Sequence, residues 1–367
     1  STPAPRLAVP EGSLLKKNIT PVQIAVVFTG SFLGAGFLSG QELLQFFGRF
    51  GAWGIVGMAA AIAAFSVFSL LVLRIAKRTG RLEFDRIIVC GEHPWLRGFF
   101  SAVFLVFLFG CMMGMIAGAG ALLRQVFGLP ALAGDLLLTG AVFLVAVAGA
   151  AGVLTAFSVV VPLLVAAALA IGLLAFGMLP ADPMFALPLR SGNPLLGSWF
   201  FSALSFISYN MMAAITILVP LSREMEDERA IRRGLAVGAG LLSVISAFIL
   251  LPMIFFRSLA AGAELPMLAL ASRIFPVLGV VYAILLLCGM FTAALSSLFG
   301  ITSRLEARLG GRLSRRFVAL LCAAAFAGSI FGFKNVVSYL YPVCGYVGFF
   351  ALLGVLLHTR ALRQPGG

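Results

Sequence analysis

Long apolar runs, separated by short polar or basic stretches, recur along almost the whole chain. Most approach the ~20 apolar residues that a helix needs to cross a hydrocarbon core of ~30 Å. The pattern predicts ten spans, at 19–47, 53–75, 99–123, 132–149, 154–178, 196–221, 234–256, 275–305, 317–333 and 336–357. Short surface helices are expected around 82–89 and 265–272. Residues 1–18 carry three prolines, little periodicity and no apolar stretch before a cleavage site, so they read as a flexible tail. Residues 359–367 form a second tail. The fold class expected is an all-α polytopic membrane protein.

Composition strengthens this picture. Hydrophobic residues make up 61% of the 367 and charged residues only 11%, against about 25% charged in soluble domains. The net charge of +13 raises nucleic acid as a partner, but the basic residues sit in short loops between apolar runs, which is the signature of membrane topology. With ten spans, twenty of the 26 lysines and arginines fall on the side of the termini and six on the other. The excess of positive charge on the cytoplasmic side of membranes then places both termini in the cytoplasm, in the plasma (inner) membrane. The lipid bilayer is a partner; nucleic acid is not. The five cysteines lie singly and no Cys/His cluster exists. No nucleophile with a base, and no metal-binding set of carboxylates, stands out, so neither an enzyme nor a resident cofactor is expected.

Two stretches break the apolar pattern at mid-span. Four glycines and two serines fall within Gly30-Ser31-Phe32-Leu33-Gly34-Ala35-Gly36-Phe37-Leu38-Ser39-Gly40, where each glycine costs a helix ~0.5–1 kcal/mol. Ser205-Phe206-Ile207-Ser208-Tyr209-Asn210 sets polar groups in the middle of the sixth span. Each stretch reads either as a helix break aimed at a ligand or as a small-residue packing site. They are the first spans of two five-span halves, 19–179 and 196–358, joined by 180–195. Five is odd, so the second half enters the membrane inverted. Paired interruptions in inverted halves point to a secondary transporter with its site at the bilayer midplane. In the eighth span, Phe291-Thr292-Ala293-Ala294-Leu295-Ser296-Ser297 precedes Gly300. Such hydroxyls often bond back to their own helix, yet beside a broken helix they complete a shell of neutral oxygens for sodium.

Two carboxylates lie within apolar runs. Asp135 falls in the expected first turn of the fourth span, where an acid suits the helix dipole, and reads as structural. Glu42 reads either as a solvated residue near the outer end of the first span or as an outer gate or proton acceptor, with Arg49 and Lys334 as candidate partners. The acidic run 224–228 reads as a solvated cytoplasmic loop.

Gly34-Ala35-Gly36-Phe37-Leu38-Ser39-Gly40-Gln41-Glu42 and Ser208-Tyr209-Asn210 resemble the YkvI-like membrane transporter family, within the LeuT fold of the amino acid–polyamine–cation superfamily. The resemblance implies ten transmembrane helices in a 5+5 inverted repeat with helices 1 and 6 interrupted. It implies a sodium site formed by the carbonyls of Gly30, Leu33 and Ala293 with the hydroxyls of Ser296 and Ser297. A substrate carboxylate would meet N–H groups near Gly34, Ala35 and Gly36. Ser205, Ser208, Tyr209 and Asn210 would line the other side, with Gly114 to Gly118 as the floor. Proton-coupled relatives often carry a lysine in helix 5, which is absent here. The expected function is therefore sodium-coupled symport of an amino acid or similar small zwitterion by alternating access. A proton-coupled transporter of the same fold, and a non-transporting sensor or partner subunit, remain alternatives. Oligomeric state is open.

Overall fold

The computed structural model describes residues 20–81, 83–90, 93–148, 153–183, 193–225, 227–311 and 313–362, with the backbone alone for 153–159. The tail expected over 1–18, most of the second tail and most of the connection 180–195 lie outside the described residues, as does Glu226 of the acidic run. All regular structure among the described residues is helical. The first expected span is three pieces, α1 (Pro21–Phe32), α2 (Ala35–Leu38) and α3 (Gln41–Phe46). The next four are α4 (Ala52–Thr79), α6 (Pro94–Phe127), α7 (Ala131–Ala148) and α8 (Val153–Met178), with the short α5 (Phe84–Ile88) between α4 and α6. The second half holds α9 (Trp199–Leu221), α10 (Glu228–Phe255), α11 (Arg257–Ala261), α12 (Pro266–Ile274), α13 (Pro276–Leu309), α14 (Arg315–Ser329), α15 (Phe333–Asn335) and α16 (Tyr341–Ala361). A π-helical turn, Val336–Leu340, joins α15 to α16.

Eight helical segments among the described residues are long and apolar enough to cross a bilayer. The other two of the ten expected spans are the divided first one and α14, which has 15 residues. Outward faces carry bare apolar side chains such as Leu136, Leu144, Leu173 and Val277, each more than 60% exposed. The chain is an integral membrane protein.

The break in the first span follows from its residues. Thr20 and Gln23 form a capping box that starts α1. The helix ends at Leu33 (φ −89, ψ 92) and Gly34 (φ −99, ψ 168), both extended. Gly40 then takes φ 83, a left-handed turn that glycine enters without strain, and α3 begins. The sixth span behaves differently. The expectation that it unwinds at 205–210 is corrected: α9 runs unbroken through these residues. Its polar side chains bond to their own helix, Ser208 Oγ donating to the Leu204 carbonyl (2.7 Å) and Asn210 Nδ2 to that of Phe206 (3.0 Å). Polarity is thereby satisfied without opening a turn.

Packing is reciprocal between the halves, α1 lying on α10 and α4 on α9. Glycine permits the closest approaches: a Cβ on Gly238 of α10 would stand 2.6 Å from the Phe28 ring of α1. Arg74 at the end of α4 pairs with Glu228 at the start of α10, Arg78 donates to the Leu362 carbonyl, and Arg304 of α13 covers the Phe84 ring of α5. These contacts gather the ends of α4, α13 and α16 on one side, called here the basic side. The opposite side covers the broken span. There α12 lies over the broken span, the Met267 amide donating to the Ser39 carbonyl (3.0 Å), while Tyr282 Oη donates to that of Leu38 (2.6 Å).

Candidate functional site

The break faces a cavity of about 570 Å³ enclosed by α1, α2, α6, α9 and α13. Its wall includes the whole stretch Gly30–Gly36, then Glu42, Tyr209 and Asn210, and reaches Gly300, Ser303 and Arg304 on the basic side. Gly30, Gly34, Ser296 and Ser303 are exposed along it, whereas Ser39, Gln41 and Met267 beyond the break are fully buried. Among the described residues, the exposed part of the wall thus extends toward the basic side, and the residues beyond the break are buried. Nothing approaches a Cβ built on Gly30 or Gly34 within 4 Å, so these two glycines serve the break and the cavity, not helix packing.

Gly30, Leu33, Ala293, Ser296 and Ser297, the five residues expected to hold sodium, all line this cavity. Ser297 Oγ donates to the Ala293 carbonyl (2.9 Å), and Ser296 is exposed to the cavity. The break packs on α13 at Gly289, where a Cβ would stand 3.5 Å from Ala35 Cβ. Of the residues expected to meet substrate, Gly34, Ala35, Gly36, Tyr209 and Asn210 line the cavity. Four do not. Ser205 donates to the Pro342 carbonyl (3.2 Å) and, with Ser208 one turn on, faces α16, where Gly345 and Gly348 make room for them. Gly114 packs against Val336 and the Tyr341 hydroxyl, and Gly118 against Met290, so both sit behind the wall.

Glu42, read from the sequence as an outer gate or proton acceptor, lies beside the break. The turn at Gly40 folds α3 back over α2, so the carboxyl sits at the break itself, 7% exposed. A Cβ on Gly36 would overlap Glu42 Oε1, and Oε2 accepts a hydrogen bond from Tyr209 Oη at 2.9 Å. Lys334, an expected partner, instead donates to the Ala261 carbonyl. Asp135 is likewise not at a helix start. It is the fifth residue of α7, 3% exposed, where it accepts from Ser329 Oγ of α14 (3.1 Å) and lies against Gly120 of α6. Its role joins three helices.

Sequence reasoning missed the aromatic wall. Phe107, Tyr209 and Tyr341 stand with ring centroids 5.2–6.3 Å apart, all lining the cavity beside Glu42. Phe104 and Phe107, three residues apart with Cys111 and Met115 on the same helical face, were the available signal. Arg304, a single cation near the end of a long apolar span, was another. Its guanidinium lies 4.4 Å from the Phe104 ring centroid and 5.6 Å from that of Phe84.

No family model matches the chain. Over 356 residues it is 28% identical to the "Uncharacterized membrane protein YkvI" of Bacillus subtilis (strain 168), covering 93% of this chain and 96% of that protein. It is 25% identical over 334 residues to YyaD of the same organism, covering 91% and 95%. Among solved structures, MhsT in complex with L-phenylalanine superposes with a TM-score of 0.61 at 16% identity, over 95% of this chain and 92% of that one. The manganese transporter of Eremococcus coleocola, in complex with an aromatic bis-isothiourea substituted compound, gives 0.58 at 16%, over 95% and 81%. At such identities the likeness establishes a shared fold.

Proposed function

We propose that this chain, a YkvI-like membrane protein of the LeuT fold, is a secondary active transporter that couples movement of a small solute to sodium by alternating access. One observation carries the reading: the break in the first span and the Ser296–Ser297 pair of α13 line a single cavity, although more than 250 residues separate them. Unpaired backbone in a membrane is tolerated where it lines a wet cavity, and transporters use it there to hold ions and solutes. A cavity of about 570 Å³ suits a solute of amino-acid size. The reciprocal packing of α1 on α10 and α4 on α9 supports treating 19–179 and 196–358 as inverted repeats. The positive-inside rule assigns the basic side to the cytoplasm. In this reading the structure is the inward-open state, with α12 closing the outer path.

Sodium is the proposed coupling ion, held between α1 and α13 by the carbonyls of Gly30, Leu33 and Ala293 and the hydroxyls of Ser296 and Ser297. Five neutral oxygens suit a monovalent ion, whereas a divalent one recruits carboxylates. Occupancy biases the inward and outward states only through contacts that differ between them. The test is sodium-dependent thermal stabilisation of the purified protein. Ser296→Ala together with Ser297→Ala is expected to raise the sodium concentration required at least about tenfold, or about 1.4 kcal/mol at 25 °C. An unchanged sodium response in the double variant, or equal stabilisation by potassium, rejects sodium and leaves proton coupling as the reading.

A further inference from the structure

The solute pole of this cavity departs from what a zwitterion requires. An amino acid would bring its carboxylate to the backbone at Ala35 and Gly36, yet Glu42 Oε1 already lies against Gly36. A second carboxylate there would meet the first at close range, where like charges repel. The protein itself already places a carboxyl group there.

Among the described residues that line the cavity, no cation stands beside that carboxyl group. Tyr209 Oη donates to Oε2, which stabilises the carboxylate but brings no charge. Among the described residues that line the cavity, the only basic side chain is Arg304. It belongs to the mouth, stacked on Phe104 and Phe84, two turns or about 12 Å along α13 from Ser296. A buried carboxylate with no cation beside it is costly, and the missing charge is one that a ligand can deliver. The surrounding wall selects which kind. Phe107, Tyr209 and Tyr341 present aromatic faces next to the carboxylate, and such faces attract organic ammonium groups. Cys111 and Met115 complete this part of the wall. They are soft or apolar groups, poor at filling the oxygen shell that a hard metal ion demands.

We infer that the solute is an organic ammonium ion, its protonated amine seated on Glu42 against the wall of Phe107, Tyr209 and Tyr341, and that it requires no carboxylate of its own. The inference rests on the transporter reading and narrows its solute from a zwitterion to an amine. Sodium keeps its separate set of neutral oxygens on α1 and α13.

The experiment compares charge at constant shape. Purified full-length protein is heated in the presence of phenethylamine, phenylalanine, 3-phenylpropionate and 2-phenylethanol, and of butylamine, norvaline, pentanoate and butan-1-ol. At least one amine is expected to stabilise at a concentration tenfold or more below that of its zwitterion, with the carboxylates and alcohols inert. Glu42→Gln is expected to erase that preference. Should this variant not fold, Glu42→Asp, which withdraws the carboxylate by one methylene, is expected to weaken the amine response at least threefold. Inert amines, stabilisation by a carboxylate, or an amine response unchanged in the Glu42 variant overturns the assignment. Counterflow of radiolabelled phenethylamine and phenylalanine in proteoliposomes separates this outcome from failure of the transporter reading. Amine stabilisation without counterflow upholds the ammonium site and removes transport. Counterflow of phenylalanine alone upholds transport and overturns the ammonium site.

Discussion

The first span and α9 start from the same expectation and end differently. Both carry an interruption in the middle of an apolar helix, yet one is broken at Leu33–Gly34 and the other is continuous. The interruption in the first span holds four glycines, which give the helix no side chain. It also holds two serines, Ser31 and Ser39, whose hydroxyls bond back to the Phe28 and Gly36 carbonyls on either side of the break without bridging it. The interruption in α9 is made of Ser, Asn and Tyr. Ser208 and Asn210 return their hydrogen bonds to carbonyls one turn back, and Thr216 does so three residues back. Polar side chains can thus keep a membrane helix whole, whereas clustered glycines weaken it. The cavity takes backbone from the first span and side chains from α9.

Substitutions can strain that contrast. The largest effect is expected at the α9–α16 interface, where a Cβ on Gly345 overlaps Ser205 Oγ. Gly345→Val should destabilise the protein by on the order of 3 kcal/mol, read as a fall in melting temperature of purified protein. A loss under about 1 kcal/mol would mean that Ser205 does not face α16. Next comes Tyr209→Phe, which strips Glu42 Oε2 of its donor and should cost about 1–3 kcal/mol in the same melt. If the variant melts with wild type, the two side chains are not bonded. Ser208→Ala removes a bond internal to α9 and should cost about 0.5 kcal/mol or less. A larger loss would show that the hydroxyl holds more than its own turn. The smallest effect belongs to Gly34→Ala. The backbone there has φ −99 and open space around it, so stability should stay within about 0.5 kcal/mol of wild type. A severe loss would return this glycine to a packing role.

Eight of the ten expected spans were legible because the apolar thickness of a bilayer fixes their length, and the break at Gly34 because clustered glycines are expensive in a helix. Tyr209 and Asn210 were legible as polar groups at mid-span. Polarity, however, carries no direction. Ser205 and Ser208 looked equally suited to the cavity, and the sign that they turn away lay in Gly345 and Gly348, more than a hundred residues later. The partner of Glu42 was hidden for the same reason, with 167 residues between it and Tyr209. Tyr341 was hidden differently. An aromatic residue in an apolar span reads as core, and the π turn at Val336–Leu340 shifts the register by which its face would be judged.

Two hydrogen bonds hold α12 and α13 to the outer part of the broken span, and three of their four groups are main chain: the carbonyls of Leu38 and Ser39 and the amide of Met267. The hydrogen bonds of the clasp therefore do not depend on the polar chemistry of the side chains at 38, 39 and 267, which are held instead by burial. Only two changes reach it directly: loss of the phenol at 282, or a residue at 267 that has no amide hydrogen. On the alternating-access reading proposed above, with each bond worth about 1 kcal/mol net, Tyr282→Phe or Met267→Pro is expected to shift the balance between the two openings roughly fivefold. On that reading they are a direct way to raise the population of the opposite state.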